Sequence, residues 1–196
     1  MPAKLAEFGQ AVAAKGAPLD VITALIDGTL QKNVCPSNNQ WLFYNGWKQI
    51  HCLKYHAVVS PDGIVIHIYG PVDGQRHDET VYKESGLASL VERHFWTSDG
   101  QALFLYSDPA YNIGPHILLP FKGPVVNSQS QQCAFNSKMS HICKPIEWIF
   151  KEVMQQFTFL DFACSQKILL SPCGLFYLVA ILLCNAHTIL HHLQIP

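Results

Sequence analysis

The stretch Ala102 to Tyr111, ALFLYSDPAY, constrains this chain more than any other. Leu103, Phe104, Leu105 and Tyr106 suit a buried strand, and Pro109, which has no N–H to give a ladder, stops it. Asp108 is thereby set at the strand's tip. A buried carboxylate without a partner is costly, so this one must reach solvent or meet a cation. Taken alone, Asp before Pro is a turn former. A second apolar stretch, Val21 to Asp27 (VITALID), repeats the design and is expected to end at Asp27-Gly28-Thr29, again an ordinary turn signal by itself.

The segments around these two predict how they are joined. Residues 4 to 14 carry Leu5, Phe8 and Val12 at helical spacing, and Gly16 and Pro18 end that helix, a lead-in occupying residues 1–20. Gln49 to Tyr69 reads as a hairpin, HCLKYHAVV and IVIHIY joined by Ser60-Pro61-Asp62-Gly63, so the first three strands form a meander. RHDETVYKESGLASLVERHF reads as one helix starting near His77 and Asp78. After Tyr111 a Pro- and Gly-punctuated loop is expected over residues 113–132. Ile146, Ile149, Phe150, Val153, Met154 and Phe157 then mark a helix over Pro145 to Phe159, with Pro145 in its first turn and Glu147 beside the apolar stripe.

Composition decides two further points. With 196 residues, 49% hydrophobic and 14% charged, the chain has enough apolar material for one core, and residues 21–196 are expected to form one domain. A formal net charge of −1 weighs against a self-sufficient nucleic-acid binder, which needs a visible excess of Lys and Arg. The seven cysteines form no CxxC pair and are expected to be reduced, as in a cytosolic or nuclear protein; no signal peptide is apparent. Ile168 to Cys184 is apolar, short for a membrane span and interrupted by Ser171-Pro172 and Gly174, so a helix buried against the sheet is expected over a transmembrane one. His187 and His191 share a helical face but lack a third ligand, which favours surface or core histidines over a zinc site.

Asp27, Asp108 and Glu147 lie on two strands and one helix. Carboxylates so distributed suit a hard divalent cation, which takes oxygen ligands. The order β-β-β-α-β-α, with acids on the first strand, the fourth strand and a later helix, is that of an α/β, ribonuclease H-like mixed sheet flanked by helices. At this level the chain resembles the catalytic domain of Harbinger-type (PIF/Harbinger) DDE transposases and their domesticated nuclease relatives. The matching pieces, in the family's order, are DGT at 27–29, YNGxK at 44–48, GPVxGxRHD at 70–78, DPAY at 108–111, PFKG at 120–123, FNxxMS at 135–140 and EWxF at 147–150.

The resemblance implies that Asp27, Asp108 and Glu147 are a DDE triad binding Mg²⁺ or Mn²⁺ for phosphodiester hydrolysis by a two-metal mechanism. It gives Asp78 an accessory acidic or metal-site role, beside the alternative of a helix cap. It also implies a nuclear location, DNA as substrate and a Myb-like protein as DNA-binding partner. Family members usually carry a helix-turn-helix segment ahead of the first Asp, and 26 residues leave no room for one here. Ser107 stands where Gly is typical, and His141-Ile142-Cys143-Lys144-Pro145 replaces an Arg-rich approach to Glu147. Lys48, Lys54, Arg76, Lys122 and Lys138 remain as candidate DNA-backbone contacts. The alternative reading is a catalytically inactive, domesticated fragment that acts as a protein-interaction module, and a membrane-anchored protein is a third.

Overall fold

The computed structural model describes residues 2–112, 114–122 and 131–191. Of the loop expected over 113–132, residue 113 and residues 123–130, including Gly123 of the PFKG motif, lie outside the described residues.

β1 (Ile22–Lys32) organises the molecule. Its apolar first half is buried, and it pairs antiparallel with β3 (Ile50–Val59) and parallel with β5 (Phe104–Ser107). Among the described residues six strands form one mixed sheet in the order β2-β3-β1-β5-β6, with β4 (Val65–Asp73) also on β3. β2 (Tyr44–Asn45) and β6 (Ile117–Leu118) are short edge pieces. The expected meander is present as β1, β3 and β4, and the β3–β4 turn is closed where the Ser60 N–H donates to Ile64 O at 3.0 Å.

One strand differs from its expected extent. β1 does not turn at Asp27-Gly28: it continues to Lys32, with Gly28 opposite His56 and Thr29 opposite Tyr55. The ladder to β3 satisfies these backbone groups along the whole strand, which outweighs the turn preference of Asp-Gly. β5 reaches only as far as Ile26↔Ser107. Beyond that pair the two strands part, and Asp27 and Asp108 follow it on either side.

The sheet's two faces bury different helices. Leu25, Leu53, Tyr55, Ala57 and Val59 pack against α5 (Gln131–Gln156) and α6 (Cys173–His191). Ala24, Ile26, Val58 and Leu105 face Leu5 of α1 (Pro2–Ala14) and the residues Leu87, Val91 and Phe95. The alternation along β3 is the period-two pattern expected of a strand covered on both sides.

Three helices depart from their expected form. The segment after Asp73 is two helices, α3 (Asp78–Glu84) and α4 (Leu87–His94), because Gly86 at φ +69° takes a left-handed conformation that breaks the run; a short α2 (Gln40–Phe43) precedes β2. α5 begins fourteen residues before Pro145, which is therefore interior rather than in the first turn. Met139 and Ile142 extend the buried stripe upstream of the proline, and their burial with Ile146, Ile149 and Val153 holds the helix through the lost hydrogen bond. α6 packs Gly174, Tyr177, Ile181 and Cys184 inward, while Leu175, Leu182 and Leu190 on other faces are exposed. It is long and apolar enough to cross a membrane by length and composition, and a third of its apolar window is buried here. The expected burial is thus confined to one side of the helix.

A buried polar network ties β1 to α6. The Tyr55 hydroxyl donates to Gln31 Oε1 at 2.9 Å, and Gln31 Nε2 donates to Gln166 Oε1 at 3.1 Å and to the Cys173 carbonyl at 3.4 Å. On the outer side, Asn185 brackets the backbone of Val65, accepting from its N–H at 3.0 Å and donating to its carbonyl at 2.9 Å. That contact covers part of the β4 edge, which would otherwise present free ladder groups.

Candidate active site

Where β1 and β5 separate, a cleft of about 630 Å³ opens, lined by Asp27, Asp78, Asp108, Lys54, Trp47 and Lys48 among others. The strands set the first two acids. Ile26 is paired with Ser107 in parallel register, so the next residue on each chain, Asp27 and Asp108, emerges at the same end of the sheet. Carboxyl ends of neighbouring parallel strands are where open α/β sheets bind ligands. Asp27 Oδ1 accepts from the Gly28 N–H at 2.7 Å, and Asp108 Oδ1 accepts from the Ala110 N–H at 3.0 Å. Each carboxylate is oriented by a backbone N–H just beyond it in the chain.

Asp78 arrives from a third element. It is the first residue of α3, with His77 in the cap position, so the cap alternative does not describe it. Its Oδ1 meets the Lys54 ammonium at 3.0 Å, and Lys54 also donates to the Arg76 carbonyl at 2.7 Å. Gly28 makes room for this: a Cβ there would lie 2.6 Å from Asp78 Oδ1. Lys54 is 7% exposed, so the residue expected as a DNA-backbone contact is instead the internal counter-ion of the site. Among the other candidate cations, Arg76 pairs with Glu84 and Asp73, Lys122 donates to the Pro109 carbonyl at 2.7 Å, and Lys48 and Lys138 are exposed.

Glu147 sits on α5, exposed and outside the lining of the cleft, yet its charge is felt at Asp27. Burial pushes the Asp27 carboxyl up to about 7, against the Gly28 N–H, and the charges of Asp108, Asp78 and Glu147 add to the rise. Asp108 is also raised, mainly by burial and then by Asp78. The Cys143 thiol, one helical turn before Glu147, is driven up to about 12 by burial and by the charges of Asp27, Asp108 and Glu147. Asp27, Asp78 and Asp108 thus share the cleft, while Glu147 stays outside its lining and reaches Asp27 only through its charge. Negative charge is concentrated there beyond what Lys54 neutralises.

That imbalance is what a divalent cation would relieve. Among the described residues, no group of three or more His, Cys, Asp or Glu side chains stands in metal-holding arrangement. Mg²⁺ characteristically binds through one or two carboxylates and completes its shell with water and phosphate oxygens. Asp27 and Asp108, two oxygen ligands whose ionisation is opposed by burial and neighbouring carboxylates and would be favoured by a cation, fit that incomplete kind of site.

Two features, one in the cleft and one buried behind it, have no signal in the sequence. The Lys54–Asp78 pair joins residues far apart in sequence and carries no local signal. Tyr111 is the other: 1% exposed, its hydroxyl finds no hydrogen-bond partner among the described residues, and it lies in the fields of Asp78, Asp27 and Asp108. His56, fully buried, lies 6.3 Å away between ring centroids, and burial lowers its pKa to about 4, keeping it neutral. An unsatisfied buried hydroxyl costs roughly 1–3 kcal/mol. Tyr111→Phe is accordingly expected to raise the urea midpoint of the metal-free protein at unchanged slope; a lowered midpoint would show that the hydroxyl has a partner.

The family model described as DDE superfamily endonuclease matches residues 26–185, a span that contains Asp27, Asp78, Asp108 and Glu147. No curated protein and no solved structure matches the chain.

Proposed function

We propose that this chain, which belongs to the DDE superfamily endonuclease family, is a divalent-metal-dependent, Harbinger-type nuclease domain that hydrolyses DNA phosphodiesters at the cleft between β1 and β5. The observation that carries the reading is the emergence of Asp27 and Asp108 at the parting of two parallel strands, with both pKa values raised first by burial and then by neighbouring carboxylate charge. The ordered motifs support the Harbinger-type assignment. The strand sequence β4-β3-β1-β5-β6, three antiparallel strands followed by two parallel ones, supports the ribonuclease H-like reading.

Bound Mg²⁺ or Mn²⁺ supplies the positive charge that activates a water and stabilises the leaving oxygen of an in-line displacement. Asp27 and Asp108 would hold the cation, and Glu147, on α5, adds to the negative field at Asp27. Asp78, fixed by Lys54, orients the site from α3. Hydrolysis forms a bond from the water oxygen to phosphorus and breaks one ester bond, the proton ending on the departing oxygen. With a net charge of −1, the domain relies on a Myb-like partner for firm hold on duplex DNA and for nuclear import.

A second reading, an inactive interaction module, is favoured by one observation: Glu147 is exposed and does not line the cleft. Plasmid incubated with the protein and Mn²⁺, beside the same mixture in EDTA and beside Asp108→Asn, separates the two. Nicking that requires both Mn²⁺ and Asp108 is expected. Equal nicking by protein and variant, or none by either, removes the catalytic assignment.

A further inference from the structure

Trp47 is 88% exposed and yet forms part of the lining of the carboxylate cleft. An indole left in water at the edge of a charged site forgoes a large burial gain. Its setting is not loose. Asn45 donates through Nδ2 to the Gly74 carbonyl at 2.8 Å and accepts through Oδ1 from the Lys48 N–H at 3.0 Å, so the turn carrying Trp47 is clamped at both ends. Gly74, which accepts that bond, is itself held close against the neighbouring chain: a Cβ on it would meet the Phe43 carbonyl at 2.5 Å and the Cys52 carbonyl at 2.6 Å. The ring is therefore presented outward on a braced turn, which lowers the entropy cost of binding against it.

Trp47 does not stand alone. Trp41 is 65% exposed and Tyr44 41% exposed on the same short segment, and Lys48 follows Trp47 directly. Aromatic faces interleaved with a cation, leading to a phosphodiester-cutting centre, are the composition of a stacking platform for unpaired bases. Bases inside an intact duplex are already stacked and cannot use it.

We propose that Trp47 is a specificity-determining residue that stacks on an unpaired DNA base beside Asp27 and Asp108, so that the cleft takes single-stranded or locally opened DNA in preference to intact duplex. This rests on the reading of the cleft as a phosphodiester site. The stacked base fixes the strand at the mouth of the cleft, Lys48 meets its backbone, and the neighbouring phosphate is delivered toward the carboxylates.

The test is binding without cutting. Full-length protein carrying Asp108→Asn is titrated, by fluorescence anisotropy with Mg²⁺ present, against a short labelled DNA single strand, the same strand without its bases, and the blunt duplex. The intact single strand is expected to bind tightest. Adding Trp47→Ala should weaken that binding by about 5- to 150-fold. Trp47→Phe should retain most of it, and affinity for the baseless strand should not change. Equal affinity for strands with and without bases, or Trp47→Ala binding as its parent does, overturns the proposal, as does no binding to any of the three DNAs. Base-dependent binding lost in Trp47→Ala while the unmodified protein nicks nothing upholds the stacking site and removes the nuclease reading.

Discussion

Asp27→Asn is expected to abolish Mn²⁺-dependent nicking while making the metal-free protein more stable at neutral pH. The two effects share one origin. Asp27 is held at about pH 7 in the folded chain, from an ordinary value of 3.8, because burial and the charges of Asp108, Asp78 and Glu147 oppose its ionisation. Between those values the folded protein keeps a proton that the unfolded chain has released. Folding therefore binds protons, and stability falls as pH rises from about 4 to 7, by up to about 1.4 kcal/mol per pH unit, then levels off. Asparagine has the same shape, keeps the oxygen that accepts from the Gly28 N–H, and never ionises. Its thermal midpoint should decline less steeply than the parent's over that range, the remaining slope coming from Asp108, which burial also raises. Saturating Mn²⁺ is expected to raise the parent's midpoint by roughly 5–10 °C at about 100-fold excess over the dissociation constant, and that of the variant hardly at all. Loss of a charge-stabilising group of this kind lowers nicking by at least about 10²- to 10³-fold. A variant that nicks like its parent, or a parent midpoint that does not fall between pH 4 and 7, contradicts this account of Asp27.

Such a site is half legible in a sequence. Asp108 is readable because Phe104 to Ser107 form a strand and Pro109 stops it, both local facts. The β3–β4 hairpin and α1 are readable for the same reason. What periodicity and turn propensity misjudge is decided by distant partners. Asp27-Gly28 is a turn signal that the ladder to β3 overrides, and Gly28 is small because Asp78, fifty residues later, needs the space above it. Pro145 looks like a helix start until the burial of Met139 and Ile142 upstream is taken into account. Lys54 looks like a solvated cation on a strand, whereas the fold closes over it and turns it into the partner of Asp78. Order of motifs carried the family; only the assembled sheet shows which charges face one another.

Gly28→Ala separates the carboxylates' placement from the fold's stability. Gly28 lies in β1 opposite His56, and nothing requires glycine there on backbone grounds, since its neighbours continue as ordinary strand. The constraint is contact. The added methyl would fall 2.6 Å from Asp78 Oδ1 and 3.8 Å from Lys54 Cε. Asp78 is the end of a short side chain at the start of α3, so it can swing aside, at the expense of its 3.0 Å bond to Lys54. Alanine also suits a strand better than glycine by roughly 0.5–1 kcal/mol, which offsets part of that loss. The thermal midpoint should therefore shift by only a few degrees in either direction. Function should not escape so lightly. An orienting carboxylate displaced from a metal centre typically reduces metal affinity or activity by about 10- to 100-fold, and the same range is expected for Mn²⁺-dependent nicking and for the Mn²⁺ concentration that half-saturates the thermal shift. Combining Gly28→Ala with Asp78→Asn discriminates the cause. If the methyl acts through Asp78, the double variant is no worse than Asp78→Asn alone; full additivity of the two losses would mean that Gly28 serves the site by some other contact.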